Sequence, residues 1–227
     1  MDFLYPNTCC FCGKVSKKSL CPRCEKEVTY ITEPRCKKCG KPIRINEAEY
    51  CLDCKEKDFA YEQGKSVWLH EGKVRWSIYQ FKYRNRRIYG TFYAKEMLRL
   101  YGEKIREWKI DMIVPVPLHR KRKRQRGYNQ SEILAGIISK ELMIPFGKKV
   151  VVRRKNTRPQ KLLQRTERSK NVKDAFYVRS LGEQVKNVLV IDDIYTTGST
   201  IHEVAKCLRK AGAQKVFFLT ISIGQGN

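Results

Sequence analysis

The stretch "NVLVIDDIYTTGST" (residues 187–200) decides the fold of this chain. Four apolar residues follow Asn187, two adjacent aspartates (Asp192 and Asp193) come next, and a turn rich in threonine and glycine ends the stretch. The continuous apolar run predicts a buried strand, and the turn predicts the beginning of a helix. A buried strand that leads directly into a helix is typical of a parallel sheet covered by helices.

The sequence on both sides of this stretch alternates between helical and strand-like patterns. Apolar residues at helical spacing predict helices within residues 73–83, 86–105, 128–143 and 198–213. Short apolar runs predict strands within residues 110–117, 148–154, 187–192 and 215–223, and residues 154–171 are predicted to form a long basic loop. We therefore expect an α/β domain over residues 62–227, with a mostly parallel sheet flanked by helices.

Cysteines dominate the amino-terminal part, and they predict a separate small domain over residues 1–61. Eight of them form four C-x2-C pairs, a spacing that lets one tight turn aim two thiolates at a single ion. Disulfides are the less favoured alternative, because the chain lacks a recognisable signal peptide and cytoplasmic thiols stay reduced. Two structural zinc sites are expected, with pairing in sequence order favoured over a cross-brace. The predicted ligands are Cys9, Cys12, Cys21, Cys24, Cys36, Cys39, Cys51 and Cys54.

Charge is the most unusual feature of the composition. The 227 residues include 48 Lys and Arg against 23 Asp and Glu, which gives a formal net charge of +25. Such a chain attracts polyanions such as nucleic acid or phosphorylated molecules. No apolar run approaches the length of about 20 residues that a transmembrane helix needs, so a cytoplasmic location is expected.

The aspartates and the turn after them suggest the ligand of the α/β domain. In an open parallel sheet, ligands bind beyond the carboxyl ends of the strands, where amides at a helix amino terminus attract anions. Carboxylates can accept hydrogen bonds from ribose hydroxyl groups while the turn holds a phosphate, so a sugar phosphate fits both. An ATPase is disfavoured because the chain contains no G-x4-G-K-[ST] motif, and hydrolase chemistry is unsupported because it contains no G-x-S-x-G motif.

Four separated segments of the chain carry a family resemblance. "VLVIDDIYTTGST" looks like the phosphoribosyl pyrophosphate (PRPP) fingerprint of type I phosphoribosyltransferases. Together with "VPVPLHRKRKRQRGYNQ" (114–130), "TRPQKLLQRTERSKNVKDAF" (157–176) and the cysteine-rich domain, it resembles, in order, the ComF family of bacterial proteins linked to DNA uptake in natural competence. The resemblance implies a PRPP site with Mg²⁺, formed by Asp192, Asp193, Thr196, Thr197, Gly198, Ser199 and Thr200.

The resemblance also implies roles for two basic segments. A pyrophosphate-binding loop would follow the strand that ends in "VPVP", with Arg120 and Lys121 as the first candidates; a solvated run of charges is the alternative. A flexible hood would cover the site with residues from the second segment, among them Gln160, Arg165, Arg168 and Asn171. Arg165 and Arg168 are the candidate catalytic residues, and a plain loop is again the alternative.

Arginines interleaved with tyrosines suggest a nucleic-acid surface. Cations follow phosphates and aromatic rings stack on bases when proteins hold single strands without sequence preference. The candidates for binding single-stranded DNA are Lys82, Arg84, Arg86, Arg87, Arg122, Arg124 and Arg126.

Two functional hypotheses follow. The first is a competence protein that binds PRPP and single-stranded DNA, for which the family resemblance implies partners in the uptake helicase and machinery at the inner face of the membrane. The second is an active phosphoribosyltransferase that moves ribose 5-phosphate from PRPP to an unidentified acceptor and releases pyrophosphate. A zinc-ribbon adaptor that has lost ligand binding is a third possibility, disfavoured by the intact acidic pair.

Overall fold

A four-stranded parallel sheet forms the centre of the molecule. The computed structural model describes residues 7–43, 48–157 and 165–224. The strands are β1 (Gln63–Leu69), β2 (Met112–Pro115), β3 (Val151–Arg153), β4 (Phe176–Val178), β5 (Asn187–Tyr195) and β6 (Lys215–Ile223). The sheet has the order β1-β6-β5-β2 with every pair parallel, and β3 and β4 form a separate antiparallel pair.

Helices connect the strands and cover the sheet. They are α1 (Pro22–Glu27), α2 (Leu52–Glu56), α3 (Gly72–Tyr83), α4 (Tyr89–Glu107), α5 (Arg120–Arg126), α6 (Gln130–Leu142), α7 (Arg165–Val172) and α8 (Ser199–Lys210). Within the described ranges, the helices fall short of the length and apolar character that a bilayer crossing requires.

The parallel sheet flanked by helices is confirmed, and the structure differs from the predicted elements in several details. The short strand β4 was not predicted, and α7 lies in the carboxyl-terminal part of the segment predicted to be a basic loop. The strand β1 was not predicted, because its edge position leaves a mixed sequence instead of a long apolar run. The strand β5 extends beyond the aspartates to Tyr195, since it continues to pair with β6 there. The basic run 120–126 is a helix rather than a loop.

Side chains that alternate along the central strands form two cores. Leu189 and Ile191 of β5 lie in the core that contains residues of α3, α4 and α6. Val188 and Val190 lie in the other core, together with the apolar face of α8. Burial on both faces explains the continuous apolar run in β5, because neither face of the strand meets solvent.

The two cysteine sets lie in different cores. Cys9 and Phe11 belong to the core of α3 and α4, where the Phe11 ring contacts Trp68 edge-on at a centroid distance of 5.4 Å. Cys36 and Cys39 belong to the core of α8. Each ribbon therefore packs directly against one face of the α/β domain.

Candidate functional site

The acidic pair lines a cavity of about 540 Å³ at the carboxyl edge of the sheet. This is the edge at which open parallel sheets bind ligands, and the volume is within the usual range of ligand sites. Side chains from four helices, two strands and the neighbouring loops converge on the cavity. The charged and hydroxyl-bearing residues in its wall are Arg75, Tyr79, Lys82, Tyr83, Arg122, Arg126, Ser131, Arg153, Asp192, Asp193, Thr196 and Thr200, with His70.

Asp193 is held by a lysine of α3. The Nζ atom of Lys82 lies 2.8 Å from Oδ1 of Asp193, and both side chains are largely buried. Lys82 was predicted to contact DNA, but its position beside Asp193 makes it part of the cavity wall. The ion pair keeps a negative and a positive group together at the strand end.

Asp192 has different partners. Its Oδ1 atom accepts hydrogen bonds from the hydroxyl of Ser131, at 2.9 Å, and from the backbone N–H of Asp193, also at 2.9 Å. Burial, and secondarily the negative charge of Asp193, raise the pKa of Asp192 to about 7. Lys82 acts in the opposite direction and lowers the pKa of Asp192. The protonation of this carboxyl group therefore changes near neutral pH.

The turn after β5 places a helix amino terminus next to the aspartates. Gly198 precedes α8 with φ of 76°, in the left-handed region that favours glycine. The hydroxyl groups of Thr197 and Ser199 lie 2.9 Å apart on this turn, and Thr196 and Thr200 line the cavity. The first amides of a helix lack intrahelical acceptors, so the turn offers donors and a partial positive charge to an anion.

The segment after the second ribbon supports this turn. A Cβ atom on Gly198 would lie 2.5 Å from the hydroxyl oxygen of Tyr195 and 3.1 Å from the ring of Phe59. The hydroxyl oxygens of Tyr195 and Tyr61 are 2.6 Å apart, and Phe59 stacks on Tyr61. Glycine is thus required at position 198 by both backbone conformation and space.

The basic helix α5 has one side toward the cavity. Arg122 and Arg126 are half-buried and line it, as their spacing of one helical turn allows. Arg120 and Lys121, the predicted pyrophosphate residues, are exposed, and neither is among the described residues that line the cavity. This run was expected to be a loop, whereas the helical spacing of Arg122 and Arg126 is the signal that identifies the inward pair.

Arg153 is a cavity residue that sequence reasoning missed. It is 8% exposed, and its Nε atom has no hydrogen-bond partner among the described residues. Burial, and secondarily the charge of Arg122, lower the pKa of Arg153 to about 10, while Asp192 acts in the opposite direction. A buried guanidinium group with an unused donor fits an anionic ligand, since the ligand would supply the missing acceptor.

His70 was also missed, because no pattern in the sequence connects it to the acidic pair. It follows β1, lines the cavity, and has its Nδ1 atom 2.9 Å from the hydroxyl oxygen of Ser222. Burial, and secondarily the charge of Lys82, lower the pKa of His70 to about 4. The ring is therefore neutral at physiological pH.

The hood residues are described only in part. Arg165 and Arg168 lie in α7, and Asn171 lies in the last turn of the same helix. Gln160 lies outside the described residues. The catalytic assignment of Arg165 and Arg168 therefore stays a prediction.

The remaining DNA candidates lie outside the cavity wall. Arg84, Arg86, Arg87 and Arg124 are exposed. The Arg87 guanidinium lies 4.8 Å from the centroid of the Tyr128 ring and donates to the carbonyl oxygen of Gly127 at 3.4 Å. Arg122 and Arg126 line the cavity with Lys82, so the predicted DNA set divides into an inner and an outer group.

The cysteines form two four-thiol sets in sequence order. The ligand atoms within each set all lie within 4.8 Å of one another: Cys9, Cys12, Cys21 and Cys24 in the first ribbon, and Cys36, Cys39, Cys51 and Cys54 in the second. The Sγ–Sγ distances of 4.0 Å (Cys12 to Cys21) and 3.6 Å (Cys39 to Cys51) match the spacing of about 3.8 Å around a tetrahedral zinc ion. The prediction of two four-cysteine zinc-binding sites is confirmed.

Comparison with known proteins agrees with this architecture. Residues 1–55 match the family model "Double zinc ribbon domain", and residues 94–222 match "Phosphoribosyl transferase domain". The chain is 29% identical to "Competence protein F" of Haemophilus influenzae over 211 residues, which covers 89% of each protein. It is 26% identical to "Competence protein ComFC" of Bacillus subtilis, covering 86% of this chain and 80% of that protein.

A third relative, "DNA utilization protein YhgH" of Escherichia coli, is 28% identical over 213 residues, covering 92% of this chain and 86% of that protein. The phosphoribosyltransferase match spans more than half of the chain and contains the acidic pair, the glycine turn and the helix after it. The predicted resemblance to the ComF proteins is confirmed. The chain belongs to the phosphoribosyl transferase domain family, and its amino-terminal residues match a double zinc ribbon.

Proposed function

We propose that this protein binds PRPP with Mg²⁺ in the cavity at the carboxyl edge of the sheet and binds single-stranded DNA on the adjoining basic surface. The observation that carries the proposal is the composition of the cavity wall. Two adjacent carboxylates and a helix amino terminus share it with five cationic side chains, Arg75, Lys82, Arg122, Arg126 and Arg153. This combination suits a ligand that has both sugar hydroxyl groups and several phosphates.

The charges suggest an orientation for PRPP in the cavity. The 5′-phosphate would lie at the turn before α8, where Thr196 and Thr200 line the cavity. The ribose hydroxyl groups would donate to Asp192 and Asp193. The pyrophosphate would then extend toward Arg122, Arg126 and Arg153, three lining residues whose positive charges act on one another.

Carboxylate oxygens at the strand end fit a magnesium complex, because Mg²⁺ prefers oxygen ligands and usually binds through one or two carboxylates plus substrate phosphates. When bound, Mg²⁺ would neutralise part of the pyrophosphate charge. The residues that would hold the complex are Asp192 and Asp193.

The DNA part of the proposal is supported by charge and by the relatives. The net charge of +25 exceeds what one PRPP molecule requires. Two relatives are named competence proteins and another a DNA utilization protein, so a role in DNA uptake or use is proposed for this chain. The reduced thiols that zinc binding requires favour a cytoplasmic location, at the inner side of the uptake machinery.

Transfer of ribose 5-phosphate is the second candidate function, and Arg153 favours it. In this reaction, a nucleophile forms a bond to C1 of PRPP while the C1–O bond to pyrophosphate breaks, and pyrophosphate leaves with the electron pair. A buried guanidinium group with an unused Nε donor is suited to stabilising charge that develops on the departing oxygens. The acceptor is undetermined.

Three measurements separate these functions. Calorimetry with PRPP and Mg²⁺ tests the site, and pyrophosphate release in the presence of nucleobases or DNA tests transfer. Binding of a labelled oligothymidine between about 50 and 200 mM salt tests the DNA surface. For a single strand, six phosphate contacts predict a loss of about 300-fold in affinity over this range. Binding of PRPP without turnover supports the first function alone, and a salt-independent DNA affinity would contradict the proposed electrostatic surface.

A further inference from the structure

The helix α3 carries a row of three partly exposed aromatic residues that extends from the first zinc ribbon to the edge of the PRPP cavity. Trp76, Tyr79 and Tyr83 are 41%, 44% and 41% exposed. Their spacing of three and four residues places them on one side of the helix. Large aromatic side chains dominate the energetics of interfaces, so three in a row on a solvent-facing side indicate a binding surface.

The position of this aromatic face connects two functional parts of the molecule. At one end, the ring of Trp76 lies 3.5 Å from where a Cβ atom on Gly13 would be, beside the first zinc ribbon. At the other end, Tyr79 and Tyr83 line the cavity that contains Asp192. Seven residues of helix separate Trp76 from Tyr83, which corresponds to about 10 Å along the axis.

Tyr79 and Tyr83 contact each other, and Arg126 lies against Tyr83. The ring centroids of Tyr79 and Tyr83 are 5.0 Å apart with an interplanar angle of 44°. The Arg126 guanidinium lies 4.7 Å from the Tyr83 centroid and donates to the Tyr83 hydroxyl at 3.0 Å. Arg75 and Arg84, from the same helix and the residue after it, are exposed and add positive charge beside the rings.

We propose that Trp76, Tyr79 and Tyr83 form a stacking surface on which bases of single-stranded DNA lie, with the bound strand running from the first ribbon to the edge of the cavity. This inference rests on the proposed DNA binding and specifies where it occurs. Single strands are held by aromatic rings that stack on bases next to cations that follow the backbone, and α3 presents both. The charge around the rings favours a polyanion over a protein partner with an apolar face.

The fluorescence of Trp76 can report directly on binding at this surface. Trp68 is fully buried and Trp108 is 7% exposed, so Trp76 is the exposed member of the three tryptophans. A base stacked on its ring quenches its fluorescence. Titration of the full chain with oligothymidine at low salt should therefore quench the tryptophan emission. The oligothymidine concentration at half-maximal quenching should agree with the dissociation constant measured by the fluorescence anisotropy of a labelled oligothymidine. In Trp76→Phe the quenching should disappear while most of the affinity remains.

Stacking can be tested separately from charge by removing the bases from the oligonucleotide and an aromatic side chain from the protein. The probes are an oligothymidine and an abasic oligonucleotide of equal length, which carries the same phosphates without bases. The affinity of the unchanged protein for oligothymidine should exceed its affinity for the abasic oligonucleotide by about tenfold per stacked base. The variant Tyr79→Ala should lose most of this preference. Tyr50→Ala removes an exposed aromatic residue of the second ribbon and should keep the preference.

The outcomes distinguish this inference from the function on which it rests. If oligothymidine binds but Trp76 is not quenched, or if Tyr79→Ala weakens both probes equally, the stacking surface is contradicted while DNA binding stands. If no oligonucleotide binds the unchanged protein, the proposed DNA binding fails as well. If instead the aromatic face binds a protein and oligothymidine does not displace it, the assignment to DNA is overturned.

Discussion

The Nζ atom of Lys82 lies 2.8 Å from Oδ1 of Asp193, which joins the helix that carries the exposed aromatic residues to the strand that carries the acidic pair. Lys82 also lowers the pKa of Asp192. Removing Lys82 takes one cation out of the cavity and favours the protonated form of Asp192.

We expect Lys82→Ala to weaken PRPP–Mg²⁺ binding by roughly tenfold at pH 7, because a hydrogen bond to a charged group contributes about 1.5–3 kcal/mol. The defect should be smaller at pH 8.5, where Asp192 ionises without the help of Lys82. Calorimetry at both pH values measures this, with Lys82→Arg as the variant that keeps the charge. An equal defect at both pH values would show that Lys82 does not act through Asp192.

The raised pKa of Asp192 predicts a pH dependence of ligand binding. The pKa of about 7 means that the carboxyl group is largely protonated at pH 6 and ionised at pH 8. Because the ionised form accepts hydrogen bonds from ribose and binds Mg²⁺, the affinity for PRPP–Mg²⁺ should rise by up to about tenfold per pH unit below pH 7 and level off above it.

PRPP phosphates also titrate near pH 6, so a control variant is needed. Asp192→Asn keeps the side-chain volume but cannot ionise, and it should bind weakly with only the pH dependence of the ligand. If both proteins show the same pH profile, Asp192 does not titrate in the binding range.

Two glycines with positive φ provide a matched comparison for the phosphate turn. Gly198 has φ of 76° and its Cβ position is blocked by Tyr195 and Phe59, whereas Gly212 has φ of 108° with no atom within 4 Å of its Cβ position. Alanine at either position costs about 1–2 kcal/mol of folding free energy in the left-handed region. We expect only Gly198→Ala to abolish PRPP binding, measured by calorimetry alongside thermal unfolding. Loss of binding in Gly212→Ala as well would attribute the effect to general destabilisation.

The second ribbon should influence the PRPP site more strongly than the first. Cys39 lies in the same core as Tyr61 and Tyr195, whose hydroxyl groups contact each other below the turn at Gly198. Metal analysis should give two zinc ions for the unchanged chain. Cys39→Ser should lower the zinc content and weaken PRPP binding, because the support of the turn loosens.

Cys12→Ser is the control, since its ribbon packs in the core of α3 and α4, away from the turn. It should lower the zinc content while keeping PRPP affinity within about twofold, provided that thermal unfolding shows a folded domain. A similar loss of affinity in both variants would mean that the ribbons contribute only to overall stability.

The sequence predicted the parts of the fold that short-range patterns control. The apolar run before Asp192 is buried on both faces, as a continuous apolar pattern predicts. The C-x2-C spacing predicted two four-thiol sets, and the structure shows that the pairs combine in sequence order. The edge strand β1 was missed because its pairing with β6 is set by distant residues.

The cavity wall was harder to predict because it depends on which side of an element faces inward. Arg122 and Arg126 face the cavity and Arg120 does not, a division that only the helical form of this run produces. Arg153 and His70 come from separate strands and carry no local motif, so only the folded chain shows that they accompany the acidic pair.

The most direct test of the account is calorimetry of PRPP with Mg²⁺ against the unchanged protein and against the variant that combines Asp192→Ala with Asp193→Ala. We predict one PRPP bound per unchanged chain and no measurable binding by the variant, with the fold and the zinc content of the variant intact. Equal affinity in both proteins would show that the sugar phosphate does not bind at this strand end and would contradict the account.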